Sequence, residues 1–502
     1  MKKIATLLMA AAMLVAGMGN AQAIDFKVKG QWIMSFEYGQ NGNFTGGNGR
    51  TGYNTSEDEF EAEQRLRLQL DAVASESLSG TVFFELGDQR WGQAKNGGAL
   101  GADGNNVVEV KRAYLDWLVP NTDLKIRMGI QGIALPSFTT QSQVFNDDVA
   151  GITASYTFNE NVALTAFWAR PINDNFGGYD KPGVNNYRAN YMDNVDMFGL
   201  VLPLKFDGVK VTPWAMYAAI GPNALRGNDT ADGDFTNNYF KQAWGTSATH
   251  FQRGMVAAGP GIKGEKLTSY GNAIWAGLTA DIVAFDPFRV AFDFNYGSVA
   301  YDDSSANRSG WLASLLAEYK LDWGIIGLHG WYSSGDDDDT GNGSERMPYV
   351  SLNNTNTSFS NFAFNGDPYL GREGVVGYGI VGTWGVGAYV RDFSFVENLK
   401  HTFRVNLFGG TNSTDMASVV GRPNFGGLGT DAMYLTTNDT AMEFTLINDY
   451  QIYENMDIRL TASYIALWLD KSDDVWGNAK LNGRDPDSRD AWDISLAYIY
   501  SF

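Results

Sequence analysis

The feature that most constrains this chain is a period of two in its apolar residues, renewed segment after segment to the last residue. Phe26, Val28, Trp32, Met34, Phe36 and Tyr38 alternate with Lys27, Lys29, Gln31, Ser35 and Glu37. Phe60, Ala62, Leu66, Leu68, Leu70 and Ala72 alternate with Glu61, Glu63, Arg65, Arg67, Gln69 and Asp71. Leu124, Ile126, Met128 and Ile130 stand against Lys125, Arg127, Gly129 and Gln131, and Ile458 to Trp468 repeats the pattern. The final segment puts Trp492, Ile494, Leu496, Tyr498, Tyr500 and Phe502 on one face. Successive side chains of a strand point to opposite faces, so such a segment is a strand with one apolar side. Gly374 to Val390 carries no charge and approaches the length of a helical span. Its glycines still alternate with Val376, Tyr378, Ile380, Trp384, Val386 and Ala388, which predicts a strand beginning near residue 374.

Several runs exceed ten residues, against about five or six in soluble proteins. A tilted strand of about 9–11 residues crosses a bilayer. We count eighteen, starting near residues 26, 59, 78, 107, 123, 149, 161, 193, 208, 271, 288, 310, 324, 374, 399, 439, 456 and 490; a slip of one hairpin would make sixteen. Long connections (39–58, 91–106, 135–148, 171–192, 221–270, 302–309, 336–373, 412–438, 471–489) alternate with tight turns such as Ser75-Glu76-Ser77, Pro120-Asn121 and Asp286-Pro287. In hydrocarbon every backbone N–H and C=O needs an internal partner, so strands can span only as a sheet without edges. The expected fold is all-β: a transmembrane antiparallel β-barrel with short periplasmic turns and long extracellular loops. Tryptophans and tyrosines near strand ends, Trp32, Tyr38, Trp117, Trp168, Trp311, Tyr319, Trp468, Trp492 and Tyr500, suit girdles at the two interfaces. A soluble propeller or solenoid would show a repeat of about 20–50 residues, and none is seen.

Residues 1–23 read as a cleaved secretory signal: Lys2-Lys3, an apolar stretch from Ile4 to Gly19, and Ala21-Gln22-Ala23 as the cleavage site, with processing after Ala23. Residues 24–502 then form a single barrel, and cleavage takes the formal charge from −20 to −22. The absence of cysteine excludes disulfide scaffolds, thiol nucleophiles and Cys-ligated metals. The acidic balance argues against nucleic acid as a partner. Three histidines without metal spacing, and no phosphate-cradling glycine loop, leave no enzymatic constellation, so no cofactor is expected.

The export signal, the meander and the terminal Ala497-Tyr498-Ile499-Tyr500-Ser501-Phe502 resemble Gram-negative outer-membrane porins. In length and texture the mature chain is similar to the homotrimeric porins of sulfate-reducing bacteria. The resemblance implies an integral protein of the cell outer membrane, a homotrimer in contact with outer-membrane lipid and lipopolysaccharide. It also implies that Tyr498, Tyr500 and Phe502 are read by the barrel-insertion machinery. In general porins the third long loop folds into the lumen, which here places an inward loop around 132–150. Leu135-Pro136-Ser137-Phe138 resembles the Pro-Glu-Phe-Gly-Gly stretch of that loop, with Ser137 for Glu and Thr139-Thr140 for the glycines.

With the apolar face toward lipid, Arg65, Arg67, Arg112, Lys125, Arg127, Arg289, Arg391, Arg404 and Arg459 point inward. Arg65, Arg67, Arg112, Lys125 and Arg127 lie close together on the wall, and Asp147 and Asp148 would face them from the third loop. Opposed charged rings tune which ions pass; the plainer reading is pairing with Glu61, Glu63, Glu85 and Asp116 inside a wet lumen. Asp336 to Asp339 could hold a divalent cation, although such a run is more often a solvated tip. The expected function is a porin, a water-filled channel for passive diffusion of ions and small hydrophilic solutes. The alternatives are a channel selective for an oligosaccharide or anion, with Tyr114 and Tyr389 as steps, and a barrel enzyme or adhesin acting through 221–270.

Overall fold

A computed structural model describes residues 24–42, 44, 59–92, 108–173, 194–221, 224, 254–256, 269–339, 341–350, 358–364, 374–420, 433–477 and 488–502. The signal region 1–23, and with it the cleavage site after Ala23, lies outside the described residues, as does most of 221–270.

The strands are β1 (Asp25–Gln40), β2 (Glu59–Ser75), β3 (Leu78–Arg90), β4 (Val108–Leu118), β5 (Leu124–Ala134), β6 (Asn146–Thr157), β7 (Ala163–Asn173), β8 (Asn194–Val201), β9 (Leu204–Phe206) and β10 (Val209–Ile220). They continue as β11 (Gly271–Phe285), β12 (Phe288–Ala300), β13 (Arg308–Leu321), β14 (Gly324–Ser333), β15 (Thr383–Val396), β16 (Leu399–Gly410), β17 (Thr440–Tyr453), β18 (Met456–Trp468) and β19 (Ala491–Ser501). β8 and β9 both pair with β10 and make one crossing, interrupted at Leu202-Pro203. Proline has no N–H to donate to the ladder, so the break falls there. Nineteen segments therefore give eighteen crossings. Each crossing pairs antiparallel with its sequence neighbour, and β1 pairs with β19 from Gln31↔Ser501 to Gln40↔Trp492, which closes the barrel.

Closure leaves no sheet edge, as hydrocarbon requires. The outward face carries exposed apolar side chains all round, among them Val28, Leu115, Ile130, Ile274, Leu328, Val386 and Leu460. The inward face is polar or buried: on β12, Arg289, Ala291, Asp293 and Asn295 are on the opposite side from Phe292, Phe294 and Tyr296. This is a transmembrane barrel, and its core lies inside the cylinder. Trp275, Trp331, Phe408 and Ala441 of the wall pack with Val144, Phe145, Met255, Met347, Tyr349, Phe359, Phe364 and Ile380 of the long connections.

The segment expected to be a strand from residue 374 begins only at Thr383. Gly374 and Gly382 take positive φ (74° and 76°), and Val376, Ile380 and Val381 are buried in the interior core. The alternation there serves a folded loop: glycine supplies left-handed backbone no strand uses, and the large residues pack inward.

Candidate functional site: the inner wall and its docked loops

Two single carboxylates on the inner wall hold two inward connections. Residues 135–145 leave β5 and reach β12. Asp293 accepts the backbone N–H groups of Phe138 (3.0 Å) and Thr139 (3.0 Å), and the hydroxyls of Ser137 (2.5 Å), Thr139 and Thr279. Thr139 also meets Ser314 at 2.6 Å, on β13. On the β17 wall Glu443, 1% exposed, accepts through Oε1 the N–H groups of Asn361 (3.1 Å), Phe362 (2.8 Å) and Ala363 (3.2 Å) and the Ser360 hydroxyl (3.1 Å). Its Oε2 accepts Asn406 Nδ2 at 2.7 Å, and Asn406 Oδ1 meets His329 Nε2 at 2.8 Å. Successive N–H groups aimed at one anion form a nest, and a buried carboxylate so satisfied is a strong local anchor. The His329 ring stacks on Phe359 at 4.3 Å, which joins the second loop to β14.

The loops also bind each other. Ile380 N–H donates to Gln143 Oε1 (3.1 Å), Val350 N–H to the Val144 carbonyl (2.7 Å) and Tyr349 N–H to the Gly254 carbonyl (2.9 Å). Fully buried Arg308 donates to the carbonyls of Arg346 (3.0 Å), Met347 (3.0 Å) and Val256 (3.4 Å). The filling is one-sided. Trp214, Trp275, Asp293, Trp331 and Glu443 of β10 to β17 are buried under the loops, whereas Lys29, Arg67, Lys125 and Arg127 of β1 to β5 keep 67%, 31%, 50% and 30% of their side-chain surface exposed, as Arg289 and Arg391 on the loop-bearing side keep 33% and 35%.

That exposed wall carries the expected basic residues, most of them paired. Arg67 Nε donates to Glu85 (2.6 Å), and Lys111 approaches the same carboxylate at 3.3 Å. Arg90 meets Glu63 (2.6 Å) and Glu61 (3.2 Å). Arg127 grips Asp116 with two parallel bonds (2.7 and 2.8 Å) and covers the Tyr114 ring at 4.0 Å, while Lys125 reaches Asp116 at 3.0 Å. Arg65 is buried, beside a bulge where Gly87 takes φ 133° and where a Cβ would strike the Gln64 carbonyl, so that only glycine fits. Arg112 donates to Asp148 at 2.6 Å.

Asp147 and Asp148 belong to β6 rather than to the third loop, because β6 begins at Asn146, paired with Ala134. The acids are thus part of the wall, two strands from Arg112. Elsewhere Arg289 meets Asp281 (2.7 Å) and Glu318 (2.9 Å), Arg391 meets Glu318 (2.8 Å), and Arg459 meets Asp449 (2.6 Å). Tyr389 donates to Glu318 at 2.6 Å. Asp293, Glu318 and Glu443 were not singled out from the sequence. Their one signal is an acid set at an inward position among apolar or hydroxyl neighbours.

In the Asp336–Asp339 run, Asp336 is buried and accepts Ser344 Oγ (2.5 Å) and Tyr434 OH (2.7 Å), and Asp339 accepts Gly341 N–H (2.8 Å). These carboxylates stabilise turns, and among the described residues no group of three His, Cys, Asp or Glu side chains is placed to hold a metal. Burial raises the pKa of nearby Glu345, and Asp337 and Asp336 add to the rise, opposed by backbone hydrogen bonds. Asp470 is held lower by bonds from Ser472 and Asn438. Burial pushes the Tyr301 phenol up.

A closed barrel of eighteen crossings, apolar outside and charged within, has the architecture of an outer-membrane channel. Among solved structures the chain is similar to OccK9 (OpdG) of Pseudomonas aeruginosa, with 10% identity over 95% of this chain and 98% of that one and a TM-score of 0.51. It is also similar to OpdQ of the same organism (11% identity, 95% and 98% covered, TM-score 0.49) and to its outer membrane protein OprD (10%, 96% and 96%, 0.49). The likeness to OccK9 is one of fold. No family model matches the sequence, and no curated protein does.

Proposed function

We propose that this chain is an outer-membrane porin, a water-filled channel for passive diffusion of ions and small hydrophilic solutes. One observation carries the reading: inside the closed barrel, mutually paired charged side chains such as Arg67, Arg127, Arg289 and Arg391 keep about a third of their surface exposed beside the docked loops. Charged groups in a spanning structure are tolerated where they face water, and an aqueous path beside them meets the need. Refolded protein in a planar bilayer should give discrete ohmic steps. Insertion without conductance would overturn the reading and leave the enzyme or adhesin alternative.

The second reading, a substrate-selective channel, is favoured by the amount of interior the loops occupy, since a narrowed path discriminates by contact. Arg65, Arg67, Arg112, Lys125, Arg127, Asp147 and Asp148 are the proposed lining, with the 135–145 connection as the constricting element. Liposome swelling with a graded series of sugars and organic anions separates the two: a smooth decline with size supports the general porin, and a sharp preference supports the selective one. The homotrimer, the resemblance to porins of sulfate reducers, the lipopolysaccharide contact and the insertion signal at Tyr498, Tyr500 and Phe502 belong to this proposal. Chemical cross-linking in the native membrane tests the trimer.

A further inference from the structure

One rung of the inner wall carries a side-chain relay. His329 of β14, Gly387 of β15, Asn406 of β16 and Glu443 of β17 are in register across four neighbouring strands. Gly387 leaves room for it, because a Cβ there would strike both His329 Nε2 and Asn406 Oδ1. Asn406 Nδ2 donates to the Phe359 carbonyl (2.7 Å) and to Glu443 Oε2 (2.7 Å), which turns Oδ1 toward His329 Nε2 at 2.8 Å. An amide oxygen only accepts, so the proton of the neutral ring is on Nε2 and Nδ1 is a bare lone pair. Nδ1 is buried, and no partner for it is found among the described residues.

The relay is part of what holds residues 358–364 to the wall. Phe359 stacks on the imidazole at 4.3 Å, and Glu443 Oε1 takes the N–H groups of Asn361, Phe362 and Ala363. A second proton, on Nδ1, would create a buried cation whose new N–H has no acceptor. The charged and titratable groups around the ring offer none. Arg404 of β16, two positions from Asn406 on the same face, is itself a cation and is bonded to Asn361 (2.5 Å). Tyr389 of β15, 5.8 Å away, gives its hydroxyl to Glu318 of β13, which also holds Arg289 and Arg391. Glu443 is taken up by the loop and by Asn406, and neither β14 nor residues 358–364 carries an acid or a further base. The docked arrangement therefore fits the neutral ring alone, and a protonated ring has to leave Phe359 and Asn406.

Residues 358–364 are tied in turn to the segment that crosses the lumen. Val375 and Val376 N–H donate to the carbonyls of Phe362 (3.0 Å) and Ala363 (2.8 Å), and Ile380 N–H donates to Gln143 Oε1 (3.1 Å) of the 135–145 connection. We propose that His329 is a proton-operated latch on the channel. Neutral, it holds residues 358–364 on the wall; protonated, it lets them go and loosens the 135–145 connection through residues 375–380. The proposal rests on the reading of that connection as the constricting element, and names a regulation of it.

The test is hydrogen exchange of the refolded protein at about pH 7.5 and about pH 4, which bracket the ordinary imidazole range, with single-channel recording at both. After correction for intrinsic exchange, residues 359–364 of the wild type should exchange about tenfold faster at the acid end, roughly one hydrogen bond lost, and the current should acquire closures there. H329Q keeps a donor for Asn406 and takes up no proton, so it should exchange slowly and conduct steadily at both pH values. G387A, which breaks the bond from His329 to Asn406 and leaves the imidazole in place, should exchange fast at both. Heat-modifiable migration reports that each variant is folded. A wild type that does not respond to acid, an H329Q that responds as the wild type does, or a G387A that behaves as the wild type does would each overturn the latch. Acid-quickened exchange with an unchanged current would overturn its link to the 135–145 connection. Ohmic conductance with exchange that ignores pH defeats this proposal alone, and a pH-dependent latch in a protein that inserts without conducting defeats the channel reading alone.

Discussion

The ring of Phe502 lies against the bare Cα of Gly30, and the two residues exchange backbone bonds, Gly30 N–H to Phe502 carbonyl (2.8 Å) and Phe502 N–H to Gly30 carbonyl (2.9 Å). This is the foot of the seam between the first and last strands. A Cβ at residue 30 would stand inside the ring. Gly30→Leu should lower unfolding stability by about 1–3 kcal/mol through overpacking, read as an earlier urea midpoint of the heat-modifiable band. Phe502→Ala in the same chain should restore part of the loss. A wild-type midpoint for Gly30→Leu would sink the packing argument.

Asp293 is the only carboxylate, among the described residues, bonded to residues 137–139. A hydrogen bond to a charged group is worth about 1.5–3 kcal/mol, so Asp293→Asn, which keeps the shape and loses the charge, should loosen the crossing segment and spare the barrel. Hydrogen exchange at residues 136–145 should quicken, and single-channel conductance should change or become noisy. Unaltered exchange and unaltered current would show that the loop is held by the interior core alone.

Most of the wall was legible in the sequence because a strand declares itself locally, one residue in two. Seventeen of the eighteen expected starts fall within three residues of the observed ones. The exception, at 374, failed where glycine alternation in a packed loop imitates a strand. The pairing of Arg67 with Glu85 and Arg127 with Asp116 is also local, since it joins neighbouring strands. The loop interior was not legible. The bond from Thr139 to Asp293 spans 154 positions, and the one from Ile380 to Gln143 spans 237, and no periodicity encodes contacts between segments that meet only after closure.

Glu345 offers a pH test outside the spanning strands. Its raised pKa means that the folded protein binds its proton more readily than the unfolded chain does. Stability from this group therefore rises as pH falls through the folded pKa toward the ordinary glutamate value of 4.5. Below that value the gain is complete, and above the folded pKa it is absent, because the carboxylate is then charged beside Asp336 and Asp337. After correction for intrinsic exchange, the 336–346 segment should be better protected at the acid end of that window. Glu345→Gln should flatten the dependence while leaving the rest of the chain as it was. The same pH profile in the variant would remove Glu345 as its source.

Selectivity should depend on single arginines of the exposed wall. Arg67→Ala leaves Glu85 with Lys111 at 3.3 Å, and Arg127→Ala leaves Asp116 with Lys125 at 3.0 Å, so each substitution uncovers negative charge without orphaning it. The wild-type channel, in a chain of formal charge −20, should lean mildly to cations. Charges in remote loops count little, because the Debye length is about 8 Å at physiological salt. A unit charge about 4 Å from a passing ion is worth about 1 kcal/mol in water, roughly fivefold in a permeability ratio. The double variant Arg67→Ala, Arg127→Ala should therefore move the reversal potential in a KCl gradient toward the cation limit by up to that factor. Lys29→Ala, on the same wall and 3.9 Å from Asp71, should move it less, because its side chain is 67% exposed and its charge better screened. A double variant with the wild-type reversal potential and conductance would place the ion path elsewhere in the barrel, away from β2 and β5.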